Sequence, residues 1–149
     1  MVKINAQKWL EDNYKEKKET KEINFVIFRI RSTMSKKKEE DKKIELEGEM
    51  LIDGYSDLEE IELSEAKEIT KLTIKNCPKV RVISIFDNKI AEIEGLEDLS
   101  ELTKLVFGKT EITEIDVSKN IKLVYLSFRG NNQEVKIKGF ENIIKNLTF

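Results

Sequence analysis

The side chains available for chemistry in this sequence are carboxylates, lysines, arginines and a single thiol. The 149 residues include 29 acidic and 27 basic side chains, one cysteine and no histidine. Without histidine there is no Ser-His or Cys-His nucleophile and no imidazole zinc ligand. Carboxylate or lysine chemistry would need one pair set apart from the rest, and the spacing sets none apart. Cys77 stands in "IKNCPK", at the turn after an inward-facing apolar run. There it reads as a buried structural thiol. The carboxylates of "FDNK" and "DVSKN" lack the spacing of a calcium loop, and no glycine-rich phosphate loop occurs. The expectation is a chain that is not an enzyme, with no catalytic residues, metal site or cofactor.

The bulk numbers narrow the partners. A net charge of −2 gives no electrostatic case for wrapping nucleic acid. One cysteine cannot form an internal disulfide, which suits a reducing compartment. "MVKINAQKWL" has no apolar signal-peptide core, and no run approaches the length of a membrane span. A cytoplasmic protein without nucleic-acid or membrane partners is expected.

The elements that would position any site are set by an internal repeat. The template Leu-x-x-Leu-x-Leu, with any aliphatic or Phe allowed, is met by "LEEIEL" from Leu58, "VRVISI" from Val80 and "LTKLVF" from Leu102. It recurs in "LVYLSF" from Leu123 and "IKNLTF" from Ile144. The starts lie 22, 22, 21 and 21 residues apart. "INFVIF" from Ile23 fits the same template, 35 residues before Leu58. A second apolar register lies between these, in "ITKLTI", "IAEIEGLEDL", "ITEIDV" and "VKIKGFENI". Each unit therefore has two apolar rungs, one for each side of a flattened coil. One unit cannot close a core, but a stack buries a continuous one.

"VRVISIFDNKI" matches every position of Leu-x-x-Leu-x-Leu-x-x-Asn-x-Leu, and "LVYLSFRGN" matches it through Asn131. The chain thus resembles the leucine-rich repeat family. Asn88 to Phe107 looks like its 22-residue subclass, found in phosphatase-regulatory and internalin-like proteins. The opening segment and "LEGEMLIDGYSDLEEIEL" are also similar to an expanded fungal group of the family. The resemblance implies an α/β solenoid. It would be a horseshoe-like right-handed coil, with a parallel strand per repeat and extended or irregular segments on the convex side. It also implies that Asn88 and Asn131 form a structural ladder satisfying backbone groups at a turn. Ala66 and Thr110 occupy the same column, and looser or water-filled turns are expected there.

Asn5 is placed to cap a helix whose stripe is Ala6, Trp9, Leu10 and Tyr14. Residues 1–22 are expected to be an N-terminal capping helix, and 23–149 the solenoid with a charged loop insertion at about 31–43. The last unit, "IKNLTF", starts at Ile144 without a polar element after it. A longer array would account for that, as would self-association through an uncapped C-terminal edge.

In such a solenoid the residues between the inward positions face the concave surface in columns. Those columns read Glu60, Val82, Lys104 and Tyr125; Glu62, Ser84, Val106 and Ser127; and Ser64, Phe86, Gly108 and Arg129. An apolar and aromatic centre with charged margins suits a protein-binding face. The candidate partner-binding residues are Val82, Phe86, Lys104, Val106, Tyr125 and Arg129. The expected function is a non-catalytic module that binds a protein or peptide there. Alternatives are a regulatory subunit of a signalling phosphatase or kinase, and a spacer or targeting array within a longer polypeptide.

Overall fold

The computed structural model describes residues 2–26, 44–141 and 143. The expected loop at 31–43 and the expected unit from Ile144 lie outside the described residues. So does the C-terminal edge expected to offer self-association.

The two apolar rungs of each unit become two strands, and every strand pair is parallel. One sheet contains β2 (Glu22–Val26), β4 (Glu60–Ser64), β6 (Val82–Phe86), β8 (Lys104–Gly108) and β10 (Tyr125–Ser127), ordered along the chain. We call it the repeat sheet. A second sheet holds β1 (Val2–Asn5), β3 (Ile44–Asp53), β5 (Glu68–Lys75) and β7 (Glu92–Glu94). Below β7 the same side continues as the pair β9 (Glu114–Asp116) and β11 (Lys136–Lys138). Each strand pairs with the strand one coil away, so short corner turns suffice where parallel strands otherwise need long crossovers. The chain is a parallel β-solenoid.

The α/β expectation needs correcting. Among the described residues helix amounts to α1 (Ala6–Asn13), one 3-10 turn at Leu96–Asp98 and the helical residues Phe140, Glu141 and Ile143. The side opposite the repeat sheet is built from strands, β3 and β5 being the longest at ten and eight residues. The physical reason lies in stretches such as "EITKLTIK". There β-branched residues alternate with polar ones, and a full backbone ladder is available one coil away.

Between the sheets lies one hydrophobic core. Positions one, four and six of the template are fully buried in three successive units: Leu58, Ile61, Leu63; Val80, Ile83, Ile85; Leu102, Leu105, Phe107. From the other side come Ile69, Leu72, Ile74, Ile90, Ile112, Ile115 and Val117. Each such side chain contributes about 1.5–3 kcal/mol on burial. In the next unit Leu123 is buried and Leu126 half-buried, while Phe128 stacks on Phe107 with ring centroids 6.1 Å apart.

The register of the first unit also differs from the expected one. Ile23 pairs with Ile61 and Phe25 with Leu63. Ile23 therefore stands at template position four, not one.

Two corners close each coil. Before the repeat sheet, the carbonyls of Tyr55, Cys77, Leu99 and Asn120 accept from the amides three residues on, at 2.9–3.3 Å. All four of these residues are buried. After the repeat sheet the chain turns through the left-handed region at Glu65, Asp87, Lys109 and Gly130, with φ of 59°, 56°, 50° and 85°. Only the last is a glycine, and the other three each carry about 1 kcal/mol of backbone strain. Glu65→Gly is expected to raise stability by roughly 0.5–1 kcal/mol in urea denaturation. An unchanged or lower midpoint would show that the strain is absorbed elsewhere.

Within residues 1–22, β1 precedes α1 and pairs with β3. The Asn5 side chain accepts from the Lys8 amide at 3.0 Å, starting the helix. Ala6 and Leu10 share one core with Ile23, Leu46 and Met50. Trp9 meets Tyr14 edge-on, and the Tyr14 hydroxyl donates to the Asn24 carbonyl and accepts from the Asn24 amide along β2.

Candidate partner-binding face

Strand alternation and register decide which residues of the repeat sheet face outward. Val82 pairs with Lys104, which pairs with Tyr125; Ser84 pairs with Val106, which pairs with Ser127; Phe86 pairs with Gly108. Val82, Phe86, Lys104, Val106 and Tyr125 therefore share one face, with Arg129 two residues beyond β10. Val82 and Val106 are half-buried, while Phe86, Lys104, Tyr125 and Arg129 are exposed. Phe86 is 38% and Tyr125 53% exposed, high for large rings that no core holds.

Cations sit on both rings. The Lys104 ammonium lies 5.6 Å from the Tyr125 ring centroid, and that of Lys109 lies 5.2 Å from the Phe86 ring. Both are within cation–π range. Gly108 makes room for this arrangement. A Cβ there would stand 3.0 Å from two carbons of the Phe86 ring and 2.3 Å from the Arg129 carbonyl. Neither Gly108 nor Lys109 is among the residues expected from the sequence to bind a partner. The available signal was a glycine in a column otherwise filled by Ser64, Phe86 and Arg129.

Asn88 and Asn131 lie at the corner behind this face. The Asn88 amide group donates to the Leu63 carbonyl at 3.4 Å, and its oxygen accepts from the Ile90 amide at 3.2 Å. Asn131 donates to the carbonyls of Phe107 and Phe128, and its oxygen accepts from both the amide and the hydroxyl of Thr110. The corner at Ala66 is closed by other means, while Thr110 keeps one ladder bond, its hydroxyl accepting from the Ile112 amide at 3.4 Å. At Ala66 the carbonyl accepts from the Ile69 amide. At Thr110 the carbonyl accepts from Gln133 of the next coil, which donates to the Ile112 carbonyl as well.

Elsewhere on the surface, charge is neutralised between coils. Lys79 reaches Asp57 at 2.5 Å, Lys122 reaches Glu101 at 2.6 Å, Lys89 reaches Glu68 at 3.0 Å and Arg81 reaches Glu59 at 2.9 Å. Each of these partners stands 21 or 22 residues away, one coil along the stack. Lys71 bridges Glu92 and Glu94 in the same way. Hydrogen bonds from these lysines, and from Lys138 to Glu114, hold Asp57 below its ordinary 3.8 and Glu68, Glu94 and Glu114 below their ordinary 4.5. The same bonds raise Lys71, Lys79, Lys89 and Lys138 above 10.5. Burial pushes the Cys77 thiol up from 9.0.

A lowered carboxylate stabilises fully above its unfolded value, and that contribution is lost as pH falls through the folded one. A raised lysine or thiol stabilises fully below its unfolded value, and that contribution is lost as pH rises. With no histidine in the chain, the melting temperature should be flat between about pH 5 and 9 and fall on both sides. Calorimetric scans across that range test this; a step near pH 6.5 would contradict it.

Compared with known proteins, the chain matches no family model, no curated protein and no solved structure. Among the described residues, no group of three or more Cys, Asp and Glu side chains is placed to hold a metal ion. No described helix is long and apolar enough to cross a membrane. The cleft beside Lys109, about 340 Å³, is lined by Asp87, Asn88, Thr110, Glu111, Gly130 and Asn132. Its charged lining is two carboxylates and one lysine.

Proposed function

We infer that the chain is a non-catalytic interaction module that binds a protein or peptide on the outer face of the repeat sheet. The observation that carries this reading is the exposure of Phe86 and Tyr125 on strands β6 and β10 of one sheet, with Val106 on β8 between them and Val82 at the start of β6. Rings exposed on an ordered strand lose little conformational freedom on binding, which suits interface anchors. On this reading the repeat sheet is the concave side of a leucine-rich-repeat-like coil. The helix α1, with its Ala6 and Leu10 in the core, caps the first coil.

Phe86→Ala combined with Tyr125→Ala should abolish partner capture from native extract, while folding stability changes by no more than about 1 kcal/mol. Undiminished capture by the double variant would remove the face from consideration.

A further inference from the structure

The repeat-sheet face is charged in opposite senses at its two ends. Its first coils present Glu22, Glu60 and Glu62, with Glu59 and Glu65 at the edges. Its later coils present Lys104, Lys109 and Arg129. Between them lie Val82, Phe86 and Val106. The acidic end is partly satisfied within the chain: Arg81 bridges Glu59 and Glu60, and Asn24 donates to Glu62 at 3.3 Å. The cationic end is not. Among the described residues Lys104, Lys109 and Arg129 enter no ion pair, although Lys67, Lys71, Lys79, Arg81, Lys89, Lys122 and Lys138 all do. Two of the three unpaired cations rest over the aromatic rings of the face instead. Lys75, Lys119 and Lys136 enter no ion pair among the described residues either, but only Lys104 and Lys109 lie over the exposed rings of this face.

We propose that this face takes a peptide segment of blocked, opposite charge, with acidic residues on Lys104, Lys109 and Arg129, an apolar residue over Val82, Phe86 and Val106, and a basic residue toward Glu22 and Glu62. This deepens the binding reading above and rests on it. A uniformly anionic chain such as a nucleic acid is disfavoured, because it would meet Glu60 and Glu62 two strands from Lys104. The distance from β4 to β10 is three strand spacings, about 14 Å. Four or five extended residues span it.

The test is selection from a random phage library of peptides ~12 residues long, on three proteins. These are the wild type, the triple variant Lys104→Glu/Lys109→Glu/Arg129→Glu, and the double variant Phe86→Ala/Tyr125→Ala. The triple variant is compatible with the fold, because Glu60 and Glu65 already hold the columns of Lys104 and Lys109 in an earlier coil.

Wild type should enrich peptides whose acidic and basic residues are separated by an apolar one. Binding of a selected peptide should fall about tenfold or more with the triple variant. Enrichment that depends on Phe86 and Tyr125 but shows no charge order would overturn this inference and leave the face reading standing. Enrichment indifferent to the alanine variant would overturn both. Absence of enrichment, or tight binding of single-stranded oligonucleotide lost in the triple variant, would also overturn the charge-blocked peptide.

Discussion

Gly95→Ala is expected to destabilise the solenoid by about 2–4 kcal/mol in urea denaturation at neutral pH. Gly95 has φ 88° and ψ 9° and opens the 3-10 turn at Leu96–Asp98. An alanine there would carry the cost of a left-handed backbone, about 1 kcal/mol. Its Cβ would also stand 1.9 Å from the Ile74 carbonyl oxygen. That oxygen belongs to β5, whose Lys71, Leu72 and Thr73 pair with β7. Backbone cannot swing aside as a side-chain tip can, so relief requires the two coils to separate. Gly130→Ala is the control. Its φ is 85°, but the nearest atom to an added Cβ is Lys109 Cγ at 3.6 Å. It should cost only the conformational part, about 1 kcal/mol. Equal losses for the two variants would show that coil spacing at Gly95 is not the constraint described here.

The solenoid was legible because its period is carried by large aliphatic residues that cannot be left in water. Val80, Ile83 and Ile85 name a strand by themselves, and Leu102, Leu105 and Phe107 repeat it one coil later. The second rung was visible as apolar positions such as Ile69, Leu72 and Ile74. Its strand character was not, since a parallel ladder depends on a partner one coil distant that no local pattern displays. The register of β2 shows the same limit. "INFVIF" satisfies the template with Ile23 at position one, using Val26 and Phe28, whereas Ile23 at position four, with Phe25 at six, leaves Thr20 at position one. Only the pairing of Ile23 with Ile61 decides.

The left-handed corner was hidden because Glu65, Asp87 and Lys109 are ordinary surface residues by composition. Gly130 alone hints at it. The outward columns of the candidate face follow from the period, so their residues could be read directly. Which lysines are paired could not be read. Lys79 and Lys104 are equally charged in the sequence, and only their neighbours in adjacent coils set them apart: Asp57 for one, the Tyr125 ring for the other.

Asn120→Asp is expected to cost about 3–5 kcal/mol at neutral pH, although the change is near-isosteric. Asn120 is 1% exposed and stands in the corner column of Tyr55, Cys77 and Leu99. Its amide group donates to the Leu96 carbonyl at 2.7 Å and the Leu99 carbonyl at 3.0 Å, tying one coil to the one before. Its own oxygen has no hydrogen-bond partner. A carboxylate in that place would face two carbonyl oxygens, with no donor and little water, so burial would hold its pKa high. The sign follows. A raised carboxyl penalises the fold at pH above its unfolded value, and the penalty shrinks as acid protonates it and restores one donor.

The gap in stability between the variant and the wild type, compared at the same pH, should therefore narrow between about pH 8 and pH 5. Asn120→Leu separates charge from size. Leucine already fills this column at Leu99, and the two carbonyls keep donors of their own in the Leu99 and Leu102 amides, at 3.1 Å and 3.2 Å. That change should cost about 1 kcal/mol and show no pH dependence. If leucine were as damaging as aspartate, or if the aspartate gap widened in acid, the corner would be set by shape and not by the polarity of its carbonyls.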